Sequence, residues 1–312
     1  MSIIENAINK KAKSEEHEVP NPLEHQFEHQ SDIERLVDKQ SHLPETKVTK
    51  NEKIKKPETA PVLSTTKQIT EIDWTMLAKM GFLNPNDSNT LAIEEYRNIK
   101  RPLVNNAFGK GSQGIAKSNL ILITSSLPGE GKTFTAINLA LSIATERDKQ
   151  VLLIDADVAR PSVSRVLGIQ SAIGLIDYLE NDNISVSDII LNTNIPGLRI
   201  IPAGKLHKHS TELLSSNKML AFADELSQRY PDRIVIFDSP PLLAATQGEV
   251  LAKLVGQIVL VVEAEKTMQS VVMESVNKLS NCDVVLAVFN KSKRNNDGDY
   301  YGYGYGYGQY AH

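Results

Sequence analysis

From about residue 116 onward the chain alternates short apolar runs with stretches whose apolar residues recur at helical spacing. Leu120-Ile121-Leu122-Ile123 reads as a buried strand, and Val151-Leu152-Leu153-Ile154 and Ile234-Val235-Ile236-Phe237 read as two more. Further strands are predicted over 198–202, 257–262 and 284–289, with helices over 134–144, about 211–228, 247–254 and 269–279. This succession predicts an α/β fold built on a doubly wound, mostly parallel sheet. Ahead of it Trp74, Met76, Leu77, Met80, Phe82 and Leu83 form an apolar cluster, and Asp87 or Ser88 is placed to cap a helix over 91–101.

Residues 1–68 are a different material. Twelve acids, eleven bases and prolines at 20, 22, 44, 57 and 61 accompany one aromatic, Phe27, which is too little apolar surface to offset ordering entropy. The segment is expected to be mostly disordered, with 32–39 as its one candidate helix. His25 and His29 have the spacing of two ligands on a helix, but without cysteine partners or folded surroundings solvated histidines are the simpler reading. The expected division is a disordered segment over 1–68, a helical docking region over 69–115, the α/β domain over 116–292 and a tail over 293–312.

A net charge of −4 and 41% hydrophobic residues allow one large core and give no general attraction to nucleic acid. The single cysteine, Cys282, excludes an internal disulfide and is expected to be a packed or surface thiol. No run approaches the roughly eighteen uninterrupted apolar residues of a bilayer span, and residues 1–13 lack the apolar stretch of a signal peptide. A cytoplasmic protein is expected.

The densest chemistry follows the first strand. Ser126-Leu127-Pro128-Gly129-Glu130-Gly131-Lys132-Thr133 lies between that strand and the helix opening at Phe134, which is the context of a phosphate-binding loop. Gly129 and Gly131 let the backbone turn its amides toward an anion, and Pro128, Glu130 and Phe134 complete the nucleotide-binding stretch. The helix N-terminus adds its positive dipole end, Lys132 reaches the β- and γ-phosphates, and the Thr133 hydroxyl ligates Mg²⁺. Ser126 stands where the usual pattern has its first glycine and is small enough for the turn. Two more strands run into acids, at Asp155-Ala156-Asp157 and at Asp238-Ser239-Pro240-Pro241. In a parallel sheet these strand ends share the edge of the phosphate loop, so three carboxylates are expected to converge near the metal.

Six of the nine tyrosines, Tyr300, Tyr301, Tyr303, Tyr305, Tyr307 and Tyr310, lie in the last thirteen residues with glycines among them. Such a tail has no continuous apolar face and is expected to be exposed and mobile. Tyr/Gly ends also occur as sticky tails without chemistry, but a nucleotide site in the same chain favours a substrate.

With these motifs the chain resembles the bacterial tyrosine kinases, or BY-kinases, which regulate exopolysaccharide export and are relatives of the MinD/ParA-type P-loop ATPases. Ser126 to Thr133 is similar to their Walker A motif, Asp155-Ala156-Asp157-Val158-Ala159-Arg160-Pro161 to their Walker A′, and Phe237-Asp238-Ser239-Pro240-Pro241 to their Walker B. The tyrosine cluster resembles their autophosphorylation tail. The resemblance spans roughly residues 70–312, and 80–103 is similar to the exosortase-associated branch. Leu127 and Pro128 occupy the place where MinD/ParA proteins usually carry a second lysine, which favours the kinase branch.

The resemblance implies an ATP- and Mg²⁺-dependent tyrosine autokinase. Lys132 and an Mg²⁺ ion held by Thr133, Asp157 and Asp238 would neutralise the transferring phosphoryl group, and Asp155 would take the phenol proton. Arg160 would add positive charge or support an interface, with Ala159 replacing a second arginine often found there. Asn290, after a late strand, would hydrogen-bond adenine. Glu94, Arg97 and Lys100 match the helix by which the family docks subunits into a ring, except that Lys100 replaces an arginine and lacks its bidentate fork. Arg101 is a neighbouring cation that compensates, and ordinary intrahelical pairing is the plainer reading of the same spacing. The resemblance further implies a ring loosened by phosphorylation, a separate inner-membrane regulator of polysaccharide chain length that recruits the kinase to the membrane's inner face, and a cognate tyrosine phosphatase. Two other classes stay open. A positioning ATPase would need a membrane-binding helix or a basic DNA surface, which the tail does not offer, and a nucleotide-gated scaffold would be phosphorylated by another kinase.

Overall fold

A computed structural model of the chain describes residues 69–84, 91–109, 114–169, 173–229 and 232–293. The expectations for residues 1–68, for the Asp87 or Ser88 cap and for the tyrosine tail lie outside the described residues. In chain order the elements are β1 (Ile69–Thr70), α1 (Trp74–Lys79), α2 (Leu91–Phe108), β2 (Leu120–Ser125), α3 (Lys132–Ala144), β3 (Gln150–Asp155) and α4 (Val163–Val166). There follow α5 (Leu175–Glu180), α6 (Val186–Ile189), β4 (Leu191–Thr193), β5 (Leu198–Ile201), α7 (Ser210–Leu214), α8 (Asn217–Arg229) and β6 (Arg233–Asp238). The last are α9 (Gln247–Ala252), β7 (Gln257–Glu263), α10 (Gln269–Lys278) and β8 (Val284–Asn290).

Eight strands form one sheet in the order β1-β4-β5-β3-β6-β2-β7-β8. Only β4 with β5 is antiparallel, so the expected doubly wound, mostly parallel sheet is observed. Leu120, Leu122, Leu152, Ile154, Val235 and Phe237 face one apolar layer that includes Phe222 and Leu226 of α8. The alternate residues Ile121, Ile123, Val151, Leu153, Ile234 and Ile236 face another, with α2 and α3. Burial on both faces is why the central strands read as continuous apolar runs rather than as alternation. β1 and β4 are too short to show any period. Asn194 fixes that edge by accepting from Ile72 N at 3.2 Å and Trp74 Nε1 at 3.1 Å.

Three departures from the sequence reading have local causes. The helix expected over 91–101 continues to Phe108 through Pro102. Pro102 cannot donate to the preceding turn, but Tyr96 and Leu103 are buried on either side of it, and packing against α3 offsets the lost bond. The helix expected over about 211–228 is two helices, α7 and α8. Ser215 Oγ donates to the Glu212 carbonyl at 3.1 Å and Ser216 Oγ accepts from Met219 N at 3.2 Å, ending one helix and capping the next. In the apolar cluster ahead of the domain, Leu77, Phe82 and Leu83 are buried, whereas Met76 and Met80 are exposed because the short helix α1 turns one narrow face inward.

Cys282 is half-buried, and burial raises its thiol above the ordinary range, as suits a packed residue. No helix among the described residues is long and apolar enough to cross a membrane.

Candidate active site

The site is assembled at the carboxyl edge of the sheet, where β2, β3 and β6 end side by side. After Ser125 the chain turns through residues 126–131 into α3. Gly129 and Gly131 have φ of 87° and 98°, left-handed backbone that a side chain would strain. A Cβ at Gly131 would also stand 2.0 Å from Asn290 Nδ2, so only glycine fits there.

Lys132 and Thr133 open α3 and point their polar atoms at the acids. The Lys132 ammonium lies 2.8 Å from Asp157 Oδ2 and 3.9 Å from Asp238 Oδ1, and the Thr133 hydroxyl donates to Asp238 Oδ2 at 2.7 Å. Asp155 and Asp238 are register partners across β3 and β6. Asp155 is fully buried, and its Oδ2 accepts from Val163 N at 3.0 Å. Its Oδ1 has no hydrogen-bond partner, and neither has Asp238 Oδ1.

Burial, and then the neighbouring Asp238 charge, pushes the Asp155 carboxyl up to about 7. Burial pushes Asp238 to about 6 even though Lys132 and Thr133 favour its ionised form. Asp157 is tied at its other oxygen to Arg160 N at 3.2 Å, while the Arg160 side chain is exposed at the rim.

The Thr133 hydroxyl and the carboxylates of Asp157 and Asp238, the latter with one oxygen that has no hydrogen-bond partner, form a donor set for a hard, oxygen-seeking divalent cation. No group of three or more His, Cys, Asp or Glu side chains among the described residues is arranged to hold a metal ion by itself. That suits a cation completed by nucleotide phosphates and water, which need only one or two protein carboxylates.

The remaining predicted site residues divide. Pro128 and Gly129 are exposed on the loop, and the Phe134 ring packs on Phe82 with centroids 4.8 Å apart. Asn290, expected at adenine, donates to the Glu130 carbonyl at 2.8 Å. Glu94 pairs with Arg97 along the exposed face of α2. Lys100 does not join them: it is 7% exposed, donates to the Ser142 carbonyl at 2.7 Å and pairs with Glu146 at 3.1 Å, fastening α2 to the end of α3.

Sequence reasoning missed how the phosphate loop is held. The Glu130 side chain is turned inside, 2% exposed, where it accepts from Leu127 N at 2.7 Å, from Glu263 N at 3.3 Å and from the Thr267 hydroxyl. Lys291 Nζ donates to the Gly129 carbonyl at 2.7 Å and pairs with Glu263 at 3.2 Å. Ser126, in the place of the usual glycine, receives a hydrogen bond from Ser275 at 2.8 Å. One signal for Glu130 was legible, since an acid inside an anion-binding loop must face away from the anion. Thr267, Ser275 and Lys291 come from distant parts of the chain and carry no such signal.

Fold and loop together define a P-loop nucleotide-binding domain, and residues 118–282 match the family model described as an AAA domain. The chain is 32% identical over 220 residues to tyrosine-protein kinase YwqD of Bacillus subtilis, covering 69% of this chain and 89% of that one. It is 33% identical over 198 residues to tyrosine-protein kinase ptk of Acinetobacter johnsonii, covering 64% of this chain and 26% of that protein. The kinase domain of Escherichia coli tyrosine kinase ETK matches with a TM-score of 0.60 at 28% identity, over 72% of this chain and 85% of the other. The chain therefore belongs to the bacterial tyrosine-protein kinase family. It spans only 26% and 28% of the length of the first two curated relatives it matches.

Proposed function

We propose that this chain transfers the γ-phosphoryl group of ATP, with Mg²⁺, to tyrosines of its own C-terminal tail. The observation that carries the reading is Asp155. It is a buried carboxylate with one oxygen held by Val163 N–H and the other unpartnered, on the same sheet edge as the phosphate-loop lysine. A phenol with a reference pKa near ~10 is neutral at pH 7 and must lose its proton as it attacks. Asp155 Oδ1 accepts that proton while the phenolic oxygen bonds to phosphorus and the bond to the bridging oxygen breaks, leaving ADP.

A carboxyl with a pKa of about 7 is basic enough to take the proton and still substantially ionised at neutral pH. Lys132 supplies fixed positive charge where the transferring group passes. Mg²⁺, held by Thr133 with Asp157 and Asp238 directly or through water, would supply further charge on the β- and γ-oxygens.

The two described tyrosines, Tyr96 and Tyr178, are 8% and 9% exposed, which favours the tail phenols as acceptors. For assembly, the exposed face of α2 with Glu94 and Arg97 docks on a neighbouring copy, while Lys100 anchors that helix from within. Each tail phosphate adds about −1.5 to −2 charges, so phosphorylated tails repel and loosen the ring. A separate inner-membrane chain-length regulator of exopolysaccharide export activates the kinase at the cytoplasmic face, and a cognate phosphatase resets it.

Incubating the pure full-length chain with labelled ATP and Mg²⁺ and locating the label by mass spectrometry tests the reading. Label on Tyr300, Tyr301, Tyr303, Tyr305, Tyr307 or Tyr310 is the expected result. Label mainly on Tyr96, Tyr178, Tyr230, serine or threonine, or release of phosphate without labelled protein, would overturn it.

A further inference from the structure

Beside Asp155 the same sheet edge carries a cavity of about 370 Å³ that the phosphoryl-transfer chemistry does not use. It lies between the segments that follow β3 and β5, and Pro161, Ser164, Ile169, Ile173, Ala203 and Lys205 are among the residues around it. Ser164 directly follows Val163, whose N–H holds Asp155, so the carboxylate and the cavity wall are built on one turn.

The opposite wall is preformed. Leu175 N donates to the Pro202 carbonyl at 2.8 Å and Ile176 N to the Ala203 carbonyl at 3.0 Å. Asp177 Oδ2 accepts from Gly174 N at 3.0 Å and Lys205 N at 3.3 Å. Gly204 takes a φ of 84°, and a Cβ there would stand 2.3 Å from that carboxylate.

The lining suits one kind of guest. Proline, isoleucine and alanine side chains supply apolar surface, and the Asp177 carboxylate, also in the lining, can accept from a hydroxyl. A pocket whose walls are part apolar and part polar is an ordinary setting for a ring that carries a hydroxyl. Lys205, the one cation in the lining, pairs with Glu180 and lies 4.0 Å from Asp177, so a phosphate there would also meet the Asp177 carboxylate. The cavity therefore suits a phenol rather than a phosphorylated one.

We propose that this cavity holds the ring of a tail tyrosine two positions away from the tyrosine being phosphorylated. In extended backbone, side chains two residues apart fall on the same side about 7 Å from one another. Tyr301, Tyr303, Tyr305 and Tyr307 repeat with that period, and the glycines between them carry nothing that would collide with the walls. β8 ends at the same sheet edge. Tyr303 stands thirteen residues beyond Asn290, a reach of up to about 45 Å. β5 lies five strand places from β8, about 24 Å away. Under this arrangement, which rests on the kinase reading for its purpose, a tyrosine flanked at two positions by another unmodified tyrosine is the preferred acceptor.

The test uses full-length chains with a photoreactive benzoylphenylalanine in place of Tyr303 or Tyr305, illuminated with ADP and Mg²⁺ and mapped by mass spectrometry. Crosslinks to Ile173 or to the segment 202–205 are expected. They should fall about tenfold in the Ile173→Glu variant, which places a charge at an exposed lining position. Crosslinks scattered over other surfaces, or unchanged by Ile173→Glu, would overturn the docking site. A parallel incubation of wild type with ATP and Mg²⁺ separates the two ideas. Cavity crosslinks without phosphotyrosine would sink the kinase reading and leave the docking site standing, and phosphotyrosine without cavity crosslinks would do the reverse.

Discussion

Buried polar groups collect at both edges of the sheet, and the two collections have opposite character. At the amino edge Gln257, fully buried, donates to the Leu103 carbonyl at 3.1 Å and the Ser118 carbonyl at 2.6 Å and accepts from Asn106 at 3.0 Å. Asn119 nearby donates to the Ser227 and Arg233 carbonyls, both at 3.3 Å, and accepts from Ser227 Oγ at 3.0 Å. These are neutral amides with partners for both their donors and their acceptors. At the carboxyl edge Asp155 and Asp238 are acids with an orphaned oxygen each and pKa values pushed upward. Burying a polar group is costly unless it is paired. These two amides have removed that cost and the two acids retain it, at the place where a phosphate, a cation and a phenol would bring the missing partners. Burial and polarity alone do not separate these amides from these acids, whereas the state of satisfaction does.

The largest effects should come from the unsatisfied edge. Lys132→Met is expected to abolish labelling of the tail while the far-ultraviolet circular dichroism stays native. Asp155→Asn should keep nucleotide binding and lower the rate by about 10²–10⁴, the usual worth of a positioned base. Near-normal transfer in Asp155→Asn together with a dead Asp157→Asn would move the base to Asp157.

The amino edge should answer the reverse way. Gln257→Leu leaves the buried Leu103 carbonyl and the part-buried Ser118 carbonyl and Asn106 amide without their partner, at about 1–3 kcal/mol for the buried group and less for each of the other two. Urea unfolding should show a loss of roughly 2–4 kcal/mol, with the transfer rate per folded molecule unchanged within about twofold. A rate falling in step with stability would mean that the two edges are not separable.

How much of this was legible in the sequence follows from the range of the forces involved. The phosphate loop and the acidic strand ends could be read because each is a local pattern, and a parallel sheet brings such strand ends to one edge whatever the details. The eight-residue loop also carried its own glycine signal, and Gly129 and Gly131 do take left-handed φ. Pro102 misled because its local preference is real but weaker than the burial of Leu103 one residue later. Ser215 and Ser216 were read as helix interior because an apolar period runs across them, and only their side-chain hydrogen bonds show the break. Lys100 was placed by spacing on the face of Glu94 and Arg97. Its long side chain reaches round to the carbonyl of Ser142, a contact no helical wheel contains.

A smaller and less usual effect concerns stability. Folding raises the Asp155 carboxyl from an ordinary 3.8 to about 7, so this group contributes stability while protonated and loses that contribution as pH rises from about 4 through about 7. Asp155→Asn removes the titration but retains an oxygen to accept from Val163 N. In metal-free, nucleotide-free buffer the variant should therefore melt above wild type near pH 8, with the difference vanishing near pH 4. Thermal melts of both proteins across that range check it. A variant less stable than wild type at pH 8 would mean that the buried charge is already compensated.

Glu130 gives the finest division between the edges, because it is an acid at the carboxyl edge whose surroundings are those of the amino-edge amides. Its carboxylate is paired with Leu127 N, Glu263 N and Thr267, so it should behave as scaffolding inside the reactive region. The two roles predict opposite signs. If Glu130 acted only through its charge, Glu130→Gln would remove repulsion from the phosphates and tighten ATP binding. If it holds the loop, the glutamine amide meets a backbone N–H, loses a hydrogen bond worth on the order of 1 kcal/mol, and lets the loop relax. We expect the second outcome: KM for ATP should rise about fivefold with kcat changed less than about twofold, and Thr267→Val should shift KM in the same direction. Initial rates over a range of ATP concentrations decide between them, and a lower KM in Glu130→Gln would place Glu130 with the chemistry rather than with the frame.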